Sequence, residues 1–520
     1  MDRAGVDRSQ HSSSSTNAET CDLIVVGAGG SGMIAAAEAA RQGLKVIVFE
    51  KTPQVGGTTG LSVGTIMAAR SRQQIAAGLQ DSPSLHASDL EAICVSMGIK
   101  DDAALRQVLV ENVADTVEWL RGIGVNFLAP LPQPPHRVER LHQVMPTSRA
   151  YVVRLHKHLR QLGVDIRVAT PVRQLILEDG LMAGVEARGP AGPVIVRSRA
   201  GVILASGDIG GDTALMHAYL KTWTDGVEVY NPANTGDGHK MALAIGAAIV
   251  PRKDLGFEAA AHVRFVRPKP GLLQKLPPWP AFTCTMVWAM KYAPKAVVRP
   301  IMMRFLTTVL GPDAGMFKEG AILVNKRGER IGRGNEAPNI LIPQQPEGIA
   351  YIVFDQKFAQ KFSNWPNFIS TAPGVAFAYL QDYRSARPDL FNVGPTIAEL
   401  AHVAGFDADK LAAAIDDANQ DRDDKMKLSA GPFYALGPVK TWVLVAPVGL
   451  AVNTKFEVLS TEGKVIPGLY AVGHTGMAGF TMTGHGHGLG WAFTSGRLAA
   501  GHAVARSRKR IRDPAIESVG

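Results

Sequence analysis

The sequence predicts an α/β fold: a parallel sheet wrapped by helices and interrupted by an inserted α+β segment that caps it. Three observations predict it. A glycine-rich turn joins an apolar strand to an alanine-rich helix within residues 23–42, and apolar strands at 200–205 and 465–472 read as returns to the same sheet. Between about 256 and 436 that pattern stops, and prolines, tryptophans and long apolar runs replace it. At 520 residues and 46% hydrophobic, the chain can bury a large core and is expected to split into two domains. The expected division is a disordered tail at 1–20, a first domain at 21–255 that resumes at 437–505, the cap at 256–436, and a basic tail at 506–520.

The first strand, residues 23–26, is fully apolar, as a parallel strand covered on both faces must be. It runs into Gly27-Ala28-Gly29-Gly30-Ser31-Gly32, which fits G-x-G-x-x-G with Gly27, Gly29 and Gly32 in the three places. The first glycine permits the tight turn, the second lets a pyrophosphate approach the backbone, and the third lets the helix pack on the strand. The helix expected at 33–42 closes at Gly43 and offers free N–H groups and a positive dipole end to two phosphates. A second strand at 45–49 ends at Glu50, 18 residues after Gly32, where an acid accepts hydrogen bonds from ribose hydroxyls. A chance glycine-rich turn would not bring strand, helix, second strand and acid in order, so the domain reads as Rossmann-like and dinucleotide-binding.

Composition excludes several classes. Cys21, Cys94 and Cys284 have no metal or CxxC spacing, so neither a disulfide framework nor a metal site is expected, and a reducing cytoplasm is the default. Residues 1–20 are serine-rich without an apolar core, unlike a signal peptide, and no run is long and apolar enough to span a bilayer. The net charge of +9 is concentrated in two places outside any nucleic-acid module, so no nucleic-acid partner is expected.

Further along, residues 101–127 carry Leu105, Leu109, Val113, Val117 and Leu120 at helical spacing, with Trp119 read as a core aromatic. A second amphipathic helix at 151–162 places His156 and His158 on different faces, which makes chelation by that pair improbable. Strands are expected at 163–170, 172–178, 184–187, 194–197 and 200–205, the last ending in Ser206-Gly207-Asp208. Asn234-Thr235-Gly236-Asp237-Gly238 precedes an alanine-rich helix, which Asp237 would cap unless it serves the cofactor pocket. After the cap, the strand at 465–473 and a helix at about 490–497 complete the first domain.

Lys51, Gly56-Gly57-Thr58-Thr59 and Ser62 resemble the loop of the FAD-dependent fumarate reductase and succinate dehydrogenase flavoprotein family. So do Gly207, the TGDG segment, and the cap hairpin 320–330, and the resemblance extends over 21–505. It implies FAD, bound noncovalently because this loop lacks the histidine to which covalent members attach it. By the same resemblance the FAD contacts are Gly27, Gly29, Gly30, Ser31, Gly32, Glu50, Lys51, Gly57, Thr58, Thr59, Ser62, Val172, Gly207, Asp237, Gly473, His474, Gly488 and Leu489, with Val172 beside the adenine.

The family pattern breaks at the chemistry. The acidic arginine of fumarate reductases has no clear counterpart, since Arg333 lies several residues early. The loop 481–490 contains no arginine, and Ala446-Pro447-Val448 replaces another substrate-binding feature. A dicarboxylate held by paired arginines is therefore not expected. The 3-ketosteroid dehydrogenase branch fits better in the 56–62 loop, in Gly431-Pro432-Phe433-Tyr434-Ala435 and in an apolar cap, although Met482 stands where its C-terminal tyrosine would. The catalytic candidates are Tyr434, His485 and His487; an imidazole there can take a proton near neutral pH, donate to an oxyanion, or only hydrogen-bond the flavin.

The resemblance thus implies an FAD-dependent oxidoreductase of the CH–CH group beside a carbonyl, converting a cyclic or steroid-like ketone to its enone. The rival readings are an ene reductase of fumarate or urocanate type and a non-catalytic flavin-binding protein. The expected partners are a small apolar carbonyl substrate and an external acceptor, whether quinone, O2 or a redox protein. Finally, residues 259–312 hold eight basic residues and no acid among many apolar ones, so either the apolar residues form the cap's core with the basic ones solvating it, or the segment makes peripheral contact with the inner face of the membrane.

Overall fold

The computed structural model describes residues 19–268, 275–332, 336–420, 422–482 and 484–512, with backbone alone at 295 and 510–512. Of the tails expected at 1–20 and 506–520, residues 1–18 and 513–520 lie outside the described residues, as do Lys269, Arg333 and Thr483, while Glu19 and Thr20 begin the first strand.

The first strand, Glu19–Val26, lies near the centre of the main sheet. It pairs in parallel with Val46–Phe49, in the register Leu23 to Val46 through Val26 to Phe49, and on its other side with Gly192–Leu204. Asp165–Arg167 extends one edge in parallel, and Val465–Ala471 extends the other, followed by the antiparallel Glu457–Leu459. All four residues of Val46–Phe49 are buried, as expected where helices cover both faces. The two strands expected at 194–197 and 200–205 are one continuous strand, Gly192–Leu204. Its first half pairs with Leu181–Gly189 of the antiparallel hairpin and its second half with Val465–Ala471, so a change of partner was read as a break.

Helix Gly30–Arg41 is sandwiched against the sheet by helix His487–Arg512, and Gly30 through Ala39 are all buried. That C-terminal helix is longer than the expected 490–497 and carries the start of the basic tail on its last turns, where Arg508 donates to the Gln42 carbonyl at 3.2 Å. The helix expected at 101–127 is Ala103–Gly122, capped by Asp102. Its Trp119 donates to Glu38 at 3.0 Å, a packing role.

The inserted segment forms a second, seven-stranded sheet organised on Phe433–Val443, which pairs antiparallel with Ala261–Phe265, Ile349–Phe354 and Phe391–Gly394. Phe433–Val443 runs across the expected boundary at 436/437. Leu436 and Val439 belong to the cap's core, whereas Val443 belongs to the main one. On the entry side Ala260 packs in the main core and Phe265 in the cap. Two strands of one sheet therefore carry the chain between domains, and the cavity lies at this junction.

Candidate functional site

A cavity of about 1520 Å³ runs from the glycine-rich turn to the cap. At its outer end the three motif glycines differ in what confines them. A β-carbon on Gly27 would sit 2.4 Å from the Ala205 carbonyl oxygen, and one on Gly32 would sit 1.9 Å from that of Gly27. One on Gly29 would meet nothing within 4 Å and would project into the cavity that Gly29 lines. The protein itself therefore does not explain a glycine at 29; a group that approaches this backbone does. Gly29 precedes the first turn of helix Gly30–Arg41, which has no acidic residue there, so its positive end is left for an anion.

The second strand delivers Glu50 beneath that turn. One carboxylate oxygen accepts from the Ala28 N–H at 2.9 Å, and the other from the backbone and hydroxyl of Thr52, both at 2.9 Å. Thr59 accepts the Gly30 N–H at 3.1 Å, and Ser62 donates to the Thr59 carbonyl at 2.8 Å, which folds the 56–62 loop back onto the turn. Thr58 is held by Asn231 and Asn234 at 2.9 and 3.2 Å, and Gly57 and Val172 line the same wall. Asp237 does not cap its helix, because Gly236 occupies that position. Its carboxylate pairs with Lys51 at 2.7 Å and accepts from Thr235 at 2.9 Å. Burial opposes ionisation there, but Lys51 outweighs it and holds the Asp237 carboxyl below the usual range.

The return of the chain closes the far wall. Ser31, Gly207, His474, Gly488 and Leu489 all line the cavity, the last two in the first turn of helix His487–Arg512, so a second helix N-terminus faces it. Burial holds the His474 imidazole at about 4. Gly32 and Gly473 sit behind this lining. A β-carbon on Gly473 would lie 2.8 Å from the Ser31 hydroxyl, and its carbonyl accepts from Trp491 at 3.0 Å. These residues fit a dinucleotide such as FAD: two helix N-termini, a bare glycine, an acid and a long cleft.

The cap-side end is different in kind. Strand Ala261–Phe265 alternates, so His262 and Arg264 project to the same side, and both line the cavity opposite His485. One Arg264 amino group donates to the Val309 carbonyl, while its buried Nε has no hydrogen-bond partner and no carboxylate pairs with it among the described residues. Burial lowers the Arg264 pKa from its ordinary value. Burial, and then the Arg264 charge, lower that of His485 and bring His262 to about 4. Both imidazoles are therefore neutral at physiological pH, beside a guanidinium that lacks an anion. Leu444, Val445, Met477 and Met482 give this end apolar walls.

Of the three catalytic candidates, only His485 reaches this place. His487 is fully buried behind the loop, its Nε2 3.0 Å from that of His86 and its ring 5.3 Å from that of His136. Arg140, itself fully buried and bidentate on Asp81 at 2.7 and 2.9 Å, fixes this cluster through His136 at 3.1 Å. His487 is the first residue of helix His487–Arg512 and packs into this buried cluster, whereas His485 lies in the loop before the helix. Tyr434 is likewise misplaced as a base: its hydroxyl donates to Gln356 at 2.6 Å within the cap and its ring stacks on Phe354. Sequence reasoning missed Arg264 and His262 because it read the segment as a surface. The i, i+2 pair in an alternating strand was the available signal.

The family described as FAD binding domain matches residues 22–273 and 299–490. A probable fumarate reductase of Shewanella frigidimarina is 25% identical over 96% of this chain and 77% of its own length. A 3-oxosteroid 1-dehydrogenase of Mycobacterium tuberculosis is 23% identical over 94% of this chain and 99% of its own length. Among solved structures, the open form of a flavocytochrome c3 fumarate reductase superposes with a TM-score of 0.69, at 23% identity, covering 94% of this chain and 79% of that one. A 3-ketosteroid Δ1-dehydrogenase from Sterolibacterium denitrificans gives 0.62 at 19% identity, over 94% and 100%.

Proposed function

Because the chain belongs to the FAD binding domain family, we propose that its cavity dehydrogenates a carbon–carbon bond beside the carbonyl of a substrate with an apolar body. That it is an FAD-dependent oxidoreductase of the group holding fumarate reductases and 3-oxosteroid dehydrogenases is already given by the family. The finer reading rests on one observation: the Arg264 guanidinium lines the cavity together with His262 and His485 and has no carboxylate partner among the described residues. FAD, when bound, supplies the acceptor for a hydride.

The remaining tasks fall to the chain. Arg264 faces the substrate oxygen, where negative charge develops as the α-proton leaves, and a charge fixed in a dry site is worth far more there than in water. His485, neutral because burial and Arg264 depress its pKa, is ready to take that proton. His262 donates a hydrogen bond to the same oxygen. Leu444, Val445, Met477 and Met482 exclude water from the charged oxygen. The electrons then pass to an external acceptor, a quinone, O2 or a redox protein.

A second reading runs the bond change backwards, as an ene reductase. It is favoured by the same unpaired guanidinium at the cavity wall, which suits the carboxylate of an enoic acid as well as a ketone oxygen. Anaerobic mixing of the purified flavoprotein with saturated cyclic ketones, and of the reduced protein with enones and enoic acids, separates the two. Bleaching by the ketones supports dehydrogenation, and reoxidation by enones or enoic acids alone supports the reverse. No response to either class, with FAD fully bound, would sink both and leave a flavin-binding protein without turnover.

A further inference from the structure

The cap carries an apolar helix that the rest of the molecule leaves uncovered. Helix Pro280–Tyr292 reads PAFTCTMVWAMKY, yet Thr283 is its one buried residue. Trp279, Trp288 and Tyr292 are 67%, 63% and 61% exposed, and the rings of Trp288 and Tyr292 lie 5.5 Å apart on one face. The next helix, Lys295–Val309, sends Met303 and Leu306 into the cap core and leaves Val297 and Ile301 outside, 58% and 47% exposed. Large aromatic and aliphatic side chains in such number on one pair of helices exceed the scattered apolar exposure of an ordinary surface.

Within the segment that carries this patch the charge has one sign. No Asp or Glu occurs between Ala259 and Pro312. Not all of the eight cations face outward. Arg264 lines the cavity, Arg267 lies 3.4 Å above the Tyr230 ring, and Arg299 pairs with Asp382 at 2.6 Å. Lys275, Lys291 and Arg304 are exposed, and none is in an ion pair among the described residues. An exposed protein partner of mixed charge would not require this uniformity, whereas an anionic lipid surface does.

We propose that helices Pro280–Tyr292 and Lys295–Val309 dock the enzyme on an anionic bilayer, with Trp279, Trp288 and Tyr292 in the headgroup layer and Lys275, Lys291 and Arg304 against the lipid phosphates. The helices are held to the body in a way that suits the task. Thr283 accepts from Asn126 at 2.8 Å at the start of the first helix, and Val309 at the end of the second lines the cavity beside Arg264. The docked face and the substrate end of the cavity thus share one element, so an apolar substrate or acceptor dissolved in the bilayer meets the cap at the point of contact. Docking itself stands on the exposed face alone and is independent of the proposed reaction.

Cosedimentation of the intact flavoprotein with phosphatidylcholine vesicles, with and without one third phosphatidylglycerol, tests this at 20 mM and 500 mM salt. Binding is expected to the anionic vesicles at low salt and to weaken at least tenfold at high salt. Each of Lys275→Gln, Lys291→Gln and Arg304→Gln should lower the partition about fivefold. A triple change of Trp279, Trp288 and Tyr292 to Ser should abolish it, with FAD content and thermal midpoint unchanged because all three rings are exposed. Failure to sediment with anionic vesicles at low salt, or unchanged binding by the triple variant, would overturn the proposal. So would a stable dimer in sedimentation velocity that Trp288→Ser dissociates, since the patch would then be a protein interface.

Discussion

At its outer end the cavity is walled mainly by two stretches near in sequence, 27–31 and 49–62, which hydrogen-bond to each other through Glu50 and Thr59. At its cap end, Arg264 and His262 from the strand that enters the inserted domain line the cavity with His485 from the loop 481–486, and among the described residues the guanidinium has no carboxylate partner. The first end is satisfied within the chain and leaves a gap shaped by the absence of a side chain. The second leaves a charge unsatisfied. A site for a resident cofactor can be preorganised by its own backbone, whereas a site for a transient substrate must keep its strongest group unspent.

The sharpest way to break this comparison is at the motif glycines. Gly29→Val should remove FAD from the purified protein while leaving the circular dichroism of the apoprotein intact, because a β-carbon there meets no protein atom. Gly32→Ala should instead destabilise the fold by about 1–3 kcal/mol in denaturant titration, because its β-carbon would overlap the Gly27 carbonyl. If both variants lose FAD and fold alike, the distinction between an open and a filled glycine fails.

At the other end, Arg264→Met should slow flavin reduction by substrate about 10²- to 10³-fold with FAD still bound. His485→Ala should slow it about a hundredfold. Because burial and the Arg264 charge lower the His485 pKa below its ordinary value, the wild-type rate should hold through neutral pH and fall only at a more acidic pH than an ordinary imidazole would give. A rate that instead rises as pH falls through 6.5 would mean that the protonated imidazole acts, in favour of the reductive reading.

Smaller effects are expected where the loop and cap residues are structural. Tyr434→Phe removes one hydrogen bond to Gln356 and should cost about 1 kcal/mol of stability with little change in rate. His487→Ala should lower the thermal midpoint through the His86 contact, again without slowing reduction severalfold beyond the loss of folded protein.

The smallest effect concerns acid stability. Burial depresses the folded pKa of His239 to about 3 and of His142 to about 4, so the unfolded chain binds protons first, near 6.5. Their contribution is fully present above about pH 6.5 and is lost as pH falls toward those folded values. Neither ring nitrogen of His239 has a hydrogen-bond partner among the described residues, so His239→Leu should flatten that slope at no cost near pH 7. A slope unchanged in this variant would show that other groups set the acid limit.

The sequence by itself determined what local physics dictates. The turn at Gly27–Gly32, its flanking strands, Glu50 and the 56–62 loop were legible because each glycine, acid and apolar run acts on its neighbours along the chain. The cap's existence was legible from composition, and so was the one-signed apolar stretch between 259 and 312. Only the tertiary structure decided which charges in that stretch face inward. Arg264 and Lys291 are alike in sequence, but one lies in a strand whose alternation and sheet pairing aim it at the cavity, and the other on an uncovered helix. It likewise decided between His485 and His487, both of which the sequence offered as candidates. Helix His487–Arg512 begins between them, and the buried His86, His136 and Arg140 group draws the second ring away from the cavity. Such choices depend on partners distant in the chain: alternation can place His262 and Arg264 on one side of a strand, but only the packed partners decide which side faces a cavity.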